Sequence, residues 1–161
     1  MLPRVLAGLL FLFLLGWLAR LALALRFAKL DREEARLAEE AQGRRVVAEL
    51  PRGHSGTQFL LEDGTSFRWG EATLSKEDIA GARLLLNGGV LQEFAGKGAV
   101  LPPLDPPREL EGGELWSVLV YRRSGGRAEI PCGALREGVS REIAGRAFAA
   151  MQAAAREEGR S

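Results

Sequence analysis

The residues closest to a catalytic set are His54 and Ser55, with Asp63 a few positions later. A serine, a histidine and an aspartate can form a nucleophilic triad, in which the histidine takes the serine proton and the carboxylate orients the imidazole. That chemistry needs three groups held in a fixed, buried arrangement. Here His54 and Ser55 lie between Gly53 and Gly56, and Asp63 begins an Asp-Gly turn. We therefore expect exposed loops, no catalytic residues and no enzymatic activity.

Two further segments have residue types that carry chemistry elsewhere. Gly96-Lys97-Gly98 lacks the spacing and the following serine or threonine of a phosphate-binding loop, so a flexible connector is expected. Cys132 is the single cysteine, which excludes a disulfide within the chain. No partner for a redox or ligand role accompanies it, and the sequence predicts a small, partly buried residue.

Metal sites are also not indicated. One histidine in the chain excludes a multi-histidine centre. Glu71, Glu77 and Asp78 lie close together in sequence but lack the oxygen-ligand spacing of a calcium loop. A solvated charged surface is expected there, and no metal or cofactor is predicted.

A proline-rich loop is the candidate site for a partner. Residues 96–114 contain several glycines and the four prolines Pro102, Pro103, Pro106 and Pro107. Proline-rich segments are stiff and already extended before they bind. The sequence thus leaves two interpretations of these prolines, a partner-facing loop or a surface connector between strands.

The N-terminal part of the chain predicts a membrane anchor. Residues 5–25 contain one charge, Arg20, and as a helix they would be about 31 Å long, close to the thickness of a bilayer core. A cleavable signal peptide is the alternative, since a basic start and Ala22-Leu23-Ala24 also fit one. The apolar run is long for a signal, so an uncleaved single-pass transmembrane anchor over residues 1–27 is expected.

Basic residues after this segment indicate its orientation. Arg26, Lys29, Arg32 and Arg36 follow it, whereas Arg4 precedes it. Because Lys and Arg are enriched on the cytoplasmic side, the C-terminal domain is expected in the cytoplasm, with export as the alternative. The expected localisation is therefore the cell membrane.

The remaining chain has room for one domain. The chain has 161 residues, and its 22 basic and 21 acidic side chains nearly cancel. This balance provides no basic surface for a phosphate backbone, so nucleic acid is not an expected partner. Residues 28–43 predict a helical juxtamembrane linker, with ion pairs spaced four residues apart. Residues 44–161 form the predicted β-rich domain.

Seven short strands are predicted in this domain, at residues 46–50, 57–62, 65–69, 82–86, 90–94, 115–122 and 127–130. Hairpin turns are expected at Asp63-Gly64, at Asn87-Gly88-Gly89 and at Ser124-Gly125-Gly126. Ser75 predicts a capped helical turn within residues 74–80, and Pro131 is expected to end the last strand. Trp69 and Trp116 are expected in the core, with an aromatic binding patch as the alternative.

The C-terminal residues predict an amphipathic helix over 141–158, capped by Ser140. Its apolar face includes Ile143, Phe148 and Met151, whereas Arg146 lies outside that face. The predicted fold class is therefore α+β, with an antiparallel sheet or barrel of about seven strands capped by this helix.

This order of elements resembles the bacterial pleckstrin-homology-like domains that are attached to transmembrane segments. The resemblance covers residues 44–158 and is carried by the strand around Trp116, the turn at Ser124, residues 127–130 and the helix that opens at Ser140. The loop after the first strand has only Arg52 and His54, not the basic cluster of lipid-binding members. The resemblance therefore implies a binding or assembly module, without phosphoinositide binding.

The sequence thus predicts a non-enzymatic binding or scaffold module at the cytoplasmic membrane surface. Its expected partners are the lipid bilayer and other membrane proteins, and neither nucleic acid nor a small-molecule substrate is indicated. The alternative is a periplasmic accessory subunit of an envelope or secretion assembly, in which the sheet pairs with neighbouring subunits.

Overall fold

The computed structural model describes residues 2–52, 56–104, 113–134 and 138–158. The chain divides into two compact units, Met1–Gln42 and Gly43–Ser161. The first unit consists of a helix, and the second contains the strands and a C-terminal helix.

Helix α1 (Leu2–Ala41) makes up the N-terminal unit. Its second half carries two ion pairs at the expected spacing of four residues, Lys29 with Glu33 at 3.7 Å and Arg36 with Glu40 at 2.9 Å. The helix ends before Gly43, whose φ of +75° lies in the left-handed region that glycine adopts most easily.

The predicted transmembrane anchor is contradicted. Among the residues that the structure describes, no helix is long and apolar enough to cross a membrane. Helix α1 is long, but its apolar segment contains Arg20 and ends at Arg26, and charged residues dominate it from Lys29 onwards. The predictions of a single-pass anchor over residues 1–27 and of a cell-membrane localisation were therefore wrong.

Eight strands form two antiparallel sheets of four. The first sheet contains, in spatial order, β1 (Arg45–Arg52), β2 (Gly56–Glu62), β3 (Ser66–Trp69) and β4 (Ala72–Ser75). The second sheet consists of β5 (Ile79–Leu86), β6 (Gly89–Ala95), β7 (Trp116–Arg122) and β8 (Arg127–Gly133), in the spatial order β6-β5-β7-β8. The antiparallel strands and the helices confirm the predicted α+β class. In the described part of the chain the sheets do not close, so the predicted barrel is not confirmed.

One apolar core lies between the sheets and helix α2 (Val139–Glu158). Sheet residues that alternate along their strands point into it, and α2 adds one face of small and large apolar side chains. The fully buried apolar sheet residues of this core are Leu50, Leu60, Phe67, Leu74, Ile79, Ala82, Val118, Val120, Ile130 and Cys132. On α2, the ring of Phe148 packs edge to face against the ring of Phe94, with 5.5 Å between the ring centres, and Met151 is fully buried. The predicted apolar face of this helix is confirmed.

The Asn87-Gly88 turn formed as its residue types predict. Strand β5 ends at Leu86 and β6 begins at Gly89. Asn87 and Gly88 have φ values of +51° and +80°. A two-residue hairpin of this kind needs positive φ at both positions, which asparagine and glycine tolerate best.

Three local predictions were wrong. Residues 72–75 form strand β4, because Leu74 pairs with Phe67 and is buried. The predicted capped helical turn is only a tight turn between β4 and β5, in which the backbone N–H of Asp78 donates to the carbonyl of Ser75 at 3.2 Å. Pro131 does not end β8, since a proline is tolerated on an edge strand. Helix α2 begins before Ser140, because the carbonyl of Gly138 already accepts the backbone N–H of Glu142.

Removing the Phe148 side chain tests how far α2 stabilises the core. Phe148 is 6% exposed and packs against Phe94. Phe148→Ala should lower the free energy of unfolding by about 3 kcal/mol, since it deletes a large buried side chain. Urea denaturation followed by tryptophan fluorescence measures the change.

The matched control on the same helix is Arg156→Ala. Arg156 is exposed, and its replacement should change the free energy of unfolding by less than about 0.5 kcal/mol. Equal effects of the two substitutions would show that α2 does not complete the core.

Candidate functional site

The outer face of the second sheet, which points away from the main core, is covered by the chain that follows β6. A second apolar cluster forms there from Ala80, Leu85, Leu119 and Tyr121, with Ala99, Leu101 and Leu104 packed against it. We call residues 96–104 the strap. Because the strap covers one face and α2 the other, every residue of β5 from Ile79 to Leu85 is buried.

Arg83 fastens the strap to the sheet. This side chain lies on the outer face of β5 and only 10% of it is exposed. Its Nη1 donates to the carbonyl oxygen of Pro102 at 2.6 Å and to the hydroxyl of Tyr121 at 2.8 Å. Its Nε donates to Glu93 Oε2 at 2.9 Å. One guanidinium thus joins strands β5, β6 and β7 to the strap.

The environment of Arg83 keeps the guanidinium charged. Burial alone would lower the pKa of Arg83, but the bonds to Glu93 and Tyr121 outweigh burial and raise the pKa. The guanidinium also lies 5.2 Å from the centre of the Tyr121 ring, a favourable cation–π distance. Glu93 and Tyr121 therefore stabilise the buried charge of Arg83.

A glycine makes room for the strap. A Cβ on Gly81 would lie 2.5 Å from the carbonyl oxygen of Phe94 and 2.9 Å from Cδ2 of Leu101. Any side chain here would therefore push the strap or β6 away. A glycine inside an otherwise apolar strand is the one sequence feature that could have indicated this close approach.

The candidate prolines fall partly on this site. Pro102 and Pro103 are exposed, whereas the flanking Leu101 and Leu104 turn onto the sheet. Pro106 and Pro107 lie outside the described residues. The first two prolines are therefore held at the surface between two anchored leucines.

The triad considered in the sequence is not assembled. His54 and Ser55 lie outside the described residues. Asp63 closes the turn between β2 and β3, where Oδ1 accepts the backbone N–H of Thr65 at 2.9 Å and Oδ2 accepts the Ser66 hydroxyl at 2.9 Å. These bonds, that of the Thr65 backbone first, lower the pKa of Asp63 to about 2. Asp63 therefore acts as a turn-forming acceptor.

Other residues with possible chemistry are bound within the fold. Asp78 accepts the backbone N–H of Ser124 at 2.7 Å and the Ser124 hydroxyl at 2.8 Å, which joins two turns. Cys132 is fully buried, and burial raises the pKa of its thiol to about 12. Trp69 and Trp116 are 6% and 5% exposed, which confirms their prediction as core residues. A surface depression lined by Glu77, Lys97, Arg123 and Glu158 mixes both charge signs.

Comparison with known proteins gives no relative. No protein-family model matches the chain, and no curated protein and no solved structure matches it. The resemblance to pleckstrin-homology-like domains therefore stays a prediction.

Replacing Arg83 tests whether it fastens the strap. Arg83→Met keeps an apolar stem of similar length but leaves the Pro102 carbonyl and the Tyr121 hydroxyl without this donor. A lost buried hydrogen-bond partner costs about 1–3 kcal/mol, so the free energy of unfolding should fall by that amount. Amide exchange at residues 99–104 should rise more than exchange in α2. Uniform changes in both segments would contradict the fastening role.

The pH dependence of stability tests the Asp63 turn. Because folding lowers the pKa of Asp63 from 3.8 to about 2, its stabilising effect is complete above pH 3.8 and is lost as the pH falls towards 2. Asp63→Asn should therefore be less stable than the parent chain at pH 6, by about 1 kcal/mol. The difference should shrink between pH 3.8 and 2.

Thr73→Ala is the control for Asp63, since Thr73 is exposed on the same sheet and does not titrate. The difference in free energy of unfolding between Thr73→Ala and the parent chain should not change with pH. If the difference in free energy of unfolding between Asp63→Asn and the parent chain is also constant with pH, the carboxylate charge of Asp63 does not stabilise the turn. Urea denaturation at each pH measures both.

Proposed function

We propose that this chain is a non-enzymatic protein-binding or scaffold module that presents Pro102 and Pro103 of the strap to a partner protein. The observation that supports this most directly is their placement. Both prolines are exposed, while Leu101 and Leu104 on either side pack onto the second sheet. Arg83 holds the carbonyl of Pro102 at 2.6 Å.

Such a segment suits recognition by a groove lined with aromatic side chains. Proline fixes its own φ, so little conformational entropy remains to be lost on binding. Anchoring at both leucines and at the Pro102 carbonyl reduces that loss further. Val100 is 93% exposed and adds an apolar side chain at the same surface. The partner is therefore a protein with an aromatic-lined groove that accepts adjacent prolines.

The roles of the carboxylates also favour a binding function over an enzymatic one. Asp63 and Asp78 accept hydrogen bonds that fix turns. Glu62 binds Lys76 at 2.8 Å and also pairs with Arg45, which joins strands β1 and β2 to the turn that follows β4. In the described residues these groups serve the fold, and each is engaged with a structural partner.

Site-specific crosslinking tests the proposal. A photo-crosslinking residue in place of Val100, which leaves both prolines intact, should yield a discrete adduct with one protein in the cells from which the chain derives. The same residue in place of Thr73, exposed on the first sheet, should yield none. Adducts of equal yield from both positions, or none from position 100, would contradict the proposal.

A second variant tests whether formation of the adduct requires the strap to be fastened by Arg83. Arg83→Met loosens the strap without altering the surface prolines, so the yield of the adduct from position 100 should fall severalfold. An unchanged yield would mean that the partner does not need the strap fastened. Circular dichroism of the variant confirms that the sheets remain folded.

A further inference from the structure

Strand β6 forms an edge of the second sheet. It pairs with β5 on one side, and among the described residues no strand pairs with its other side. Residues 90–93 are all exposed, with Val90 at 45% and Leu91 at 51%. An edge of this kind presents unpaired backbone donors and acceptors that can accept a further strand.

The other three edge strands carry features that hinder strand addition. Strand β1 contains Pro51, and β8 contains Pro131. These two also lie against each other, since a Cβ on Gly133 would be 2.6 Å from Pro51 Cγ. Strand β4 has only four residues. Prolines, short length and coverage are the usual protections of sheet edges.

Strand β6 lacks those protections. It has seven residues, GVLQEFA, with neither proline nor lysine. Its one charged residue, Glu93, forms an ion pair with Arg83 at 2.9 Å. No residue of β6 therefore blocks backbone pairing with an incoming strand or repels its uncharged side chains.

A bulge sets where the added strand would lie. Gln92 pairs with Leu84 and Val90 with Leu85, so Leu91 is the extra residue. From Gln92 to Ala95 the register with β5 is regular, which leaves a straight edge of four residues beside two exposed apolar side chains. A bulge strengthens the local twist and limits long flat pairing. The site therefore suits a short segment.

The size of the edge decides between a second copy of this chain and a peptide. Seven residues span about 24 Å, and a strip about 10 Å wide would bury about 500 Å² in total. A stable association of two folded proteins needs about 1,200 Å² or more. Two rigid copies meeting at β6 alone fall short, whereas a flexible peptide can also cover the side chains above and below the edge.

We propose that β6 is a strand-addition site for a short, extended and uncharged peptide segment of a partner protein, with an apolar side chain placed beside Val90 and Leu91. Backbone hydrogen bonds along residues 92–95 provide the pairing, and the two apolar side chains favour a valine- or isoleucine-like residue. The site lies on the edge of the sheet and is a different surface from the prolines of the strap.

The test uses the full chain and a synthetic peptide of eight alternating valines and threonines, capped at both ends so that it carries no charge. At a concentration ten times its Kd, the peptide should slow amide exchange in β6 by about tenfold, because binding protects the edge by mass action. The same peptide N-methylated at every backbone amide keeps the side chains but loses the donors, and should not protect.

Two lysine substitutions complete the design. Leu91→Lys places a charge on the edge and should weaken peptide binding about tenfold or more. Val139→Lys makes a closely similar change at a side chain 52% exposed, against 51% for Leu91, and should leave binding unchanged. Equal protection by the N-methylated peptide, equal effects of both lysines, or protection of β6 that rises with protein concentration without peptide would each overturn the proposal.

Discussion

The burial of strand β5 on both faces is the constraint on which the second sheet depends. Its inner side chains join the main core under α2, and its outer side chains lie beneath the strap. Arg83 is a charged residue in this position, so desolvation must be offset by bonds to Glu93, Pro102 and Tyr121. Without the strap, Arg83 would lose an acceptor and Leu85 and Leu119 would face water.

The same guanidinium connects the two surfaces proposed for binding. Glu93 belongs to β6, and Pro102 belongs to the strap. Both are bonded to Arg83, which is itself fixed by Tyr121 of β7. The edge strand, through Glu93, and the strap, through Pro102, are therefore bonded to the same side chain of β5.

Local chemistry predicted much of the fold and little of the site. The Asn87-Gly88 turn follows from two residues that tolerate positive φ, and the apolar face of α2 follows from its spacing. The strap depends instead on Arg83 reaching Tyr121, 38 residues away, and no local pattern encodes that contact. Strand β4 was missed for a different reason: it pairs with the neighbouring β3 in a tight hairpin, and this pairing determines the conformation of residues 72–75.

The buried cysteine makes the reactivity of this fold towards thiol reagents a measure of its opening. Cys132 is fully buried in the main core, and burial raises the pKa of its thiol to about 12, so the native chain carries the thiol and not the thiolate at neutral pH. Thiolates, not thiols, react with alkylating reagents. Modification of the native chain therefore requires the core around Cys132 to open, and its rate reports that opening.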